Sequence, residues 1–188
     1  LGFAKADHID EFVRYGITSF DSTSPLLRAF KDARKNYYMP TQSGGLKYFS
    51  AIRIPQALEN SRLKRQVQEG RLNQEELQGL EMNALAAIRG YATHKNNLDA
   101  ALDSVLDYNV RLLDSEEISA SKRDAKLQQL RSQYRRTLTE RPWEQCNCNI
   151  CRSSGVEVLI FRGSNRNKRR GIHNLYVYQQ HIRALDQA

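Results

Sequence analysis

The residues best suited to chemistry are the three cysteines of the chain, which all lie within Cys146-Asn147-Cys148-Asn149-Ile150-Cys151. Clustered thiolates bind one tetrahedral ion when a fourth ligand comes from elsewhere in the fold, and His173 is the nearest candidate. A closed site of this kind leaves no coordination position open, so the pattern predicts structural Zn²⁺. Three free thiols and a core histidine are the alternative. An iron–sulfur cluster fits less well, because the sequence offers no fourth thiolate.

Asp21 is the second candidate, because it follows a predicted strand over Ile17–Phe20. A strand over Leu1–Ala4 and a helix over Ala6–Gly16 precede it, so the segment predicts a βαβ unit with parallel strands. In parallel sheets and barrels, chemistry collects at the carboxyl ends of the strands. An ionised Asp21 there would act as a nucleophile or base. A helix N-cap or loop aspartate is the alternative interpretation.

Two basic clusters favour an anionic partner, with nucleic acid ahead of a membrane surface. Lys, Arg, Gly and Asn in loops suit phosphate contacts, since backbone N–H groups are available there as well. A solvated surface is the alternative for either cluster alone. The clusters are Arg28, Lys31, Arg34 and Lys35, and then Arg162, Arg166, Lys168, Arg169 and Arg170.

The elements expected to position these residues are mostly helical. A capping-box pattern at Asn73 and Glu76 and apolar stripes at helical spacing predict long helices between Leu58 and Leu138. The remaining predictions are a helical turn over Leu26–Asp32, strands over Tyr48–Ile54 and Val156–Phe161, a basic loop over Arg162–Gly171, and a helix over His173–Leu185 with Leu175, Tyr178, Ile182 and Leu185 on one side.

The composition is that of an ordinary soluble globular chain. It has 188 residues, a net charge of +8, 40% hydrophobic residues and 27% charged residues, which excludes wholesale disorder. No apolar run reaches the roughly 20 residues of a membrane span, and we expect a cytoplasmic protein. Because Leu1 stands where a Met would start a protein, we expect a C-terminal piece of a longer one.

Together these residues resemble the tRNA-guanine transglycosylase (queuine tRNA-ribosyltransferase) family. The family signature of Cys-x-Cys-x-x-Cys followed by His-Asn-Leu stands here as Cys146, Cys148, Cys151 and His173-Asn174-Leu175. Its Phe-Asp-x-x-x-Pro segment stands as residues 20–25. The resemblance covers roughly the first 35 and last 45 residues. The inserted helices and the Gly155–Gly171 segment are similar to the DpdA branch, whose members put a 7-deazaguanine into DNA.

The resemblance implies a fold, a mechanism and partners. The fold is α/β, the C-terminal part of a (β/α)8 TIM-type barrel, with barrel strands in residues 1–56, a helical insertion in 57–140 and a zinc-binding subdomain in 141–188. Asp21 becomes the nucleophile of a base exchange that replaces guanine with a 7-deazaguanine such as preQ0. Arg28 becomes a contact to the nucleic-acid backbone, one residue out of step with the family. Protein partners from a DNA-modification system are expected, and this chain alone is expected to be inactive.

Two other functions remain open from the sequence. The same base exchange could act on tRNA, with identical chemistry on a different polymer. A zinc-stabilised basic fold could also bind nucleic acid without catalysis, and Asp21 would then be only a cap. The nucleic-acid contacts expected in either case are Arg28, Lys31, Arg166, Lys168, Arg169 and Arg170.

Overall fold

The computed structural model describes residues 8–17, 19 and 21–185, with the side chains of residues 10 and 164–166 outside that description. The described chain is a helix-rich, mixed α/β protein. It divides into two units, which we call unit 1 (residues 1–51, 142–159 and 164–188) and unit 2 (residues 52–141 and 160–163). Unit 1 therefore draws on both ends of the chain. The three-part domain division stays a prediction.

Unit 1 contains an antiparallel hairpin and several helices. The hairpin pairs Tyr37 with Phe49 and Pro40 with Leu46, and Thr41 Oγ1 accepts a hydrogen bond from the Gly45 N–H to close its turn at 2.8 Å. The elements of unit 1 are α1 (Ile9–Arg14), α2 (Ser24–Lys31), β1 (Tyr37–Pro40), β2 (Leu46–Phe49), α7 (Pro142–Gln145), α8 (Asn149–Ser154), a 3₁₀ helix (Gly155–Leu159) and α9 (Ser164–Leu185).

Unit 2 contains the predicted long helices, which the structure confirms. Each begins at a residue whose side chain accepts a backbone N–H, as the sequence pattern at Asn73 predicts. The predicted stripes supply its core, including Leu77, Leu102 and Leu138. The elements of unit 2 are β3 (Ile52–Arg53), α3 (Ser61–Gln68), α4 (Gln74–Ala92), α5 (Leu98–Asp114), α6 (Ala120–Glu140) and β4 (Ile160–Phe161), with β3 and β4 parallel.

Three local predictions are wrong. The segment Tyr48–Ile54 is two strands, β2 and β3, because the chain leaves the hairpin at Ser50. Val156–Phe161 is mostly the 3₁₀ helix, with only the last two residues in β4. The predicted basic loop Arg162–Gly171 is mostly the first two turns of α9. Its charged residues are good helix formers, and Gly171 is accommodated because the helix packs closely against Leu26 of α2 at this point. His173 therefore lies inside α9 and does not open it.

The parallel barrel stays a prediction. The strand expected at Leu1–Ala4 lies outside the described residues, and so do residues 18 and 20 of the strand expected before Asp21. Among the described residues the strands form two separate two-stranded pairs, and no TIM barrel is seen. The helix expected over Ala6–Gly16 is present as α1 within its described part. None of the described helices is long and apolar enough to cross a membrane.

Unit 2 contains an ion pair that is largely shielded from water. Glu81 on α4 pairs with Arg162, which follows β4, and its other oxygen accepts the Ala57 N–H at 2.7 Å. Near the pair, Tyr108 donates to the Pro55 carbonyl at 2.7 Å. Burial, with Glu81 adding to it, raises the pKa of Tyr108. Arg162 therefore has a structural role in this ion pair and is not a surface cation, as the predicted basic cluster would require.

Replacing Arg162 with Met should lower the free energy of unfolding by about 3–5 kcal/mol, because Glu81 is left as an unpaired buried charge. Arg136→Met breaks an exposed pair with Glu140 and serves as the matched control, with an expected change of at most about 1 kcal/mol. Urea unfolding monitored by circular dichroism measures both. Equal losses for the two variants would contradict a structural role for the buried pair.

Candidate functional site

The four predicted metal ligands lie together in unit 1, all buried. Cys146 precedes α8, Cys148 caps its N-terminus and Cys151 lies in its first turn, so one short turn presents three sulfurs to the side of α9 that carries His173. The Sγ atoms of Cys146, Cys148 and Cys151 are 3.6, 3.3 and 3.4 Å from His173 Nδ1. The four ligand atoms lie within 4.8 Å of one another.

These distances fit a tetrahedral zinc site. With Zn–S bonds of about 2.3 Å and a Zn–N bond of about 2.0–2.1 Å, neighbouring ligand atoms lie roughly 3.5–3.8 Å apart. Hydrogen bonds from Cys151 and His173 lower the pKa of Cys146 to about 4. Although burial opposes it, hydrogen bonds to Cys146 and Cys148 raise the pKa of His173 to about 9. The pKa of Cys148 is also lowered, whereas that of Cys151 is raised, chiefly by its hydrogen bond with Cys146 and by burial. A divalent cation would supply the positive charge needed to hold all three sulfurs as thiolates. The Cys146/Cys148/Cys151/His173 cluster is suited to binding a metal ion such as zinc.

The surrounding residues orient the ligands. His173 Nε2 donates to the Tyr38 carbonyl at 2.8 Å, which keeps the proton on Nε2 and leaves the Nδ1 lone pair for the metal. The Tyr37 ring stacks on the His173 ring with centroids 4.0 Å apart, and its hydroxyl lies 3.1 Å from Cys151 Sγ. Strand β1 therefore holds the histidine from two directions. Sequence analysis missed Tyr37 and Tyr38, and the only signal was an aromatic pair inside a segment assigned to loops.

The next residue on α9 connects this cluster to the helix that follows Asp21. Asn174 accepts the Tyr38 N–H at 3.0 Å and donates to the carbonyls of Pro25 at 3.0 Å and Asn36 at 3.1 Å. Pro25 lies in the first turn of α2. The Ser22 side chain also hydrogen-bonds to Tyr178, and Ser22 Oγ accepts the Ser24 N–H at 3.2 Å. Both ends of the short Asp21–Pro25 segment are thus held by α9.

Asp21 itself is exposed, and it has no hydrogen-bond or ion-pair partner among the residues that the structure describes. The N-cap of α2 is Thr23, not Asp21, and its side chain makes no capping bond. The interpretation of Asp21 as a helix N-cap is therefore wrong. An exposed carboxylate fits both a loop aspartate and a nucleophile, so the catalytic role of Asp21 stays a prediction.

The predicted nucleic-acid contacts lie on two helices, α2 and α9. Arg28 and Lys31 lie in the last turn of α2, with the Arg28 guanidinium 5.6 Å from the centre of the Tyr48 ring. Lys168 and Arg169 are exposed on α9. The side chain of Arg166 lies outside the described part of the chain.

The prediction of a nucleic-acid contact is wrong for Arg170, which is 0% exposed. Its guanidinium donates to the carbonyls of Val158 at 3.1 Å and Ala29 at 2.7 Å, and to Asn167 Oδ1 at 2.7 Å. Burial lowers its pKa to about 9, which still leaves it charged at neutral pH. Ala29 and Val158 lie near the C-terminal ends of α2 and of the 3₁₀ helix, where a cation stabilises unpaired carbonyls. Arg170 is therefore a structural cap.

Substituting Ser for Cys148 should abolish stoichiometric zinc binding, because a closed tetrahedral site cannot replace a thiolate with a weaker ligand. Asn147→Ser, at the exposed neighbouring position, should keep about one zinc per chain. Metal content by atomic emission after dialysis against a mild chelator measures both. Zinc retained by Cys148→Ser would contradict the assignment.

Replacing Arg170 with Ala should lower the free energy of unfolding by about 3 kcal/mol, since two buried carbonyls lose a charged donor. Arg169→Ala, one residue earlier and exposed, should change it by at most about 0.5 kcal/mol. Chemical unfolding of the zinc-loaded protein compares them, and equal stability would contradict the capping role.

Comparison with known proteins gives a sequence match over nearly the whole chain. No family model matches the chain. Over 177 residues, which is 94% of its length, the chain is 40% identical to a protein from Salmonella montevideo named DNA-guanine transglycosylase. The chain spans 39% of the length of that relative. The matched stretch leaves out too few residues to omit Asp21 or any of the four metal ligands. The similarity supports the transglycosylase family that the Asp21 segment and the Cys3His cluster indicate.

Proposed function

We propose that the protein containing this chain exchanges guanine for a 7-deazaguanine base in DNA, with Asp21 as the nucleophile. The observation that carries the proposal is the 40% identity, over nearly the whole chain, to a protein named DNA-guanine transglycosylase. The exposed Asp21 and the Cys3His cluster both lie in the matched stretch. We further propose that unit 1 belongs to the C-terminal part of a (β/α)8 barrel and that unit 2 is a helical insertion of the DpdA type.

The proposed reaction has two displacement steps. The Asp21 carboxylate attacks C1′ of a deoxyguanosine, the C1′–N9 bond breaks, and guanine leaves after taking up one proton. The N9 of a 7-deazaguanine such as preQ0 then attacks C1′, the bond to Asp21 breaks, and the incoming base loses its N9 proton. Two inversions give net retention, as in retaining glycosidases. The target nucleotide must leave the base stack to expose C1′.

The contacts of α9 supply the positioning that this chemistry needs. A nucleophile must be held within a fraction of an ångström of its productive position, and a loop needs support to achieve this. Asn174 fixes the Pro25 carbonyl, and Tyr178 bonds to Ser22, next to Asp21. These residues are positioning residues, since they act through the backbone that carries the carboxylate.

Zinc would be held by Cys146, Cys148, Cys151 and His173, and with all four positions filled it supplies structural stability. Contacts within unit 1 connect the metal site to the segment that contains Asp21. His173 and Asn174 are neighbours on α9, so fixing the first fixes the register of the second against Pro25. We therefore expect the metal site to affect turnover through the position of Asp21.

Basic side chains give the nucleic-acid partner its contacts. We propose that Arg28 and Lys31, with Arg166, Lys168 and Arg169, bind backbone phosphates. Phosphate contacts of this kind set the position of a nucleic acid without reading its sequence. DNA is favoured over tRNA because the matched relative is named for DNA. The protein partners of a DNA-modification system belong to the same proposal.

Asp21→Asn should reduce base exchange by at least about 10³-fold, because a carboxamide cannot form the glycosyl ester. The intact protein, zinc-loaded, is incubated with guanine-containing DNA and labelled preQ0, and label in the DNA is counted. Asp32→Asn is the matched control: Asp32 accepts the N–H groups of Arg34 and Lys35 through one oxygen, which Asn retains. Its activity should stay within about twofold of the wild type.

The outcomes separate the candidate functions. Label in DNA that is lost with Asp21→Asn supports the proposal. Label in tRNA alone, tested in parallel, would keep the chemistry and overturn the DNA substrate. DNA binding without label in either polymer would favour a binding module without catalysis.

A further inference from the structure

Unit 2 contains a half-open cavity of about 250 Å³ that the chemistry at Asp21 does not use. Its lining comes from α3, α5 and α6, with Arg53 of β3. Pockets for drug-sized ligands begin at about 300 Å³, so this cavity is limited to a small molecule of about the size of a nucleobase. Its apolar lining includes Leu63, Leu112, Leu113 and Leu130.

Two buried carboxamides line this cavity with their acceptors unused. Gln66 and Asn109 are each 4% exposed. Gln66 Nε2 donates to the Ser115 carbonyl at 3.3 Å, and Asn109 Nδ2 donates to the carbonyls of Val105 at 2.8 Å and Arg53 at 3.3 Å. Neither side-chain oxygen has a partner among the described residues, yet neither is sealed from solvent. Since both residues line the cavity, we take these two oxygens as the acceptors that it offers to a ligand.

The unused acceptors specify the ligand. Because water reaches both oxygens, a ligand N–H that replaces the water keeps the hydrogen bond and fixes the orientation of the ligand. Gln66 bonds to the Ser115 carbonyl, and the backbone of Ser115 lies six residues, or about 9 Å along the axis, beyond that of Asn109 at the end of α5. The two carboxamides therefore come from different ends of the cavity lining. This arrangement favours a ligand with N–H donors on more than one edge.

The mouth of the cavity adds a positive charge. Glu116 holds Arg62 at 2.9 Å and Lys126 at 3.0 Å, so both cations are fixed beside the opening. With Arg53 they outnumber the single carboxylate among the charged lining residues. A carbonyl oxygen on the ligand would find its donor there.

We propose that this cavity binds a free guanine-type base, either guanine or a 7-deazaguanine, at a second site lined by residues of unit 2. Such a base carries N1–H and a 2-amino group on one edge, N9–H on the other, and a 6-carbonyl. A nucleoside lacks the N9–H and fits less well. The identity of the ligand rests on the proposed function, which consumes one free base of this class and releases another.

Equilibrium dialysis of the intact, zinc-loaded protein with labelled guanine tests the site without DNA. Gln66→Leu should remove one class of bound base or weaken it at least tenfold. Gln68→Leu, the same change at an exposed position of the same helix, should bind as the wild type does. Because Gln66→Leu could fail to fold, competition by 9-methylguanine is measured on the wild type. It should displace the label from this class at least tenfold less well than guanine.

Equal binding by the Gln66 and Gln68 variants, or equal competition by 9-methylguanine, would overturn the site. Base exchange into DNA is measured on the same preparations. Exchange without a Gln66-dependent site leaves the proposed function standing and removes this inference. A Gln66-dependent site without exchange does the reverse, and the ligand would then be a guanine-type base with another use.

Discussion

The adjacency of His173 and Asn174 on α9 is the constraint on which unit 1 depends. One residue is a metal ligand, and the next binds the backbone of β1 and the first turn of α2. The backbone of Tyr38 bonds to both residues, since its carbonyl accepts from His173 and its N–H donates to Asn174. The metal cluster, the hairpin and the segment that carries Asp21 are thus all held by the same helix, α9. Movement of α9 by a single turn would break all three together.

The buried face of α9 mixes polar and apolar residues, and the apolar pattern of the sequence therefore located that face only in part. Tyr178 is buried as predicted, but Arg170, His173 and Asn174 are fully buried, and Leu175, predicted to face the core, is exposed. Each buried polar group is stable because a specific carbonyl or N–H meets it, and no periodic pattern of apolar residues records such pairings. For the same reason, the basic segment that contains Arg170 was predicted to be a solvated loop. The sequence does not show that Arg170 donates to buried carbonyls while its neighbour Arg169 is exposed.

The sequence was sufficient where local chemistry decides the structure. Three cysteines within six residues leave few alternatives to a metal, and apolar stripes with Asn and Ser caps define the long helices of unit 2. The sequence was insufficient where a structure depends on contacts between residues that are far apart in the chain. Strand β1 pairs with β2 across a turn and supports α9 from more than a hundred residues away, and Tyr37 and Tyr38 carry no local mark of that role. Cavities such as the one beside Gln66 are likewise products of packing alone.

The two units divide the chemical work differently. In unit 1 the buried side chains of Arg170, His173 and Asn174 bond to backbone groups of α2 and β1, which makes a rigid frame. In unit 2 Glu81 pairs with Arg162, whereas the side-chain oxygens of Gln66 and Asn109, which line a cavity, have no partner among the described residues. The amide nitrogens of both residues bond to backbone carbonyls, and leucine at either position would leave those carbonyls without this donor. The donor ends of the two amides thus serve the fold, and the acceptor ends are what a ligand in the cavity would use. Under the proposed function, a free base is the small molecule that the reaction itself provides.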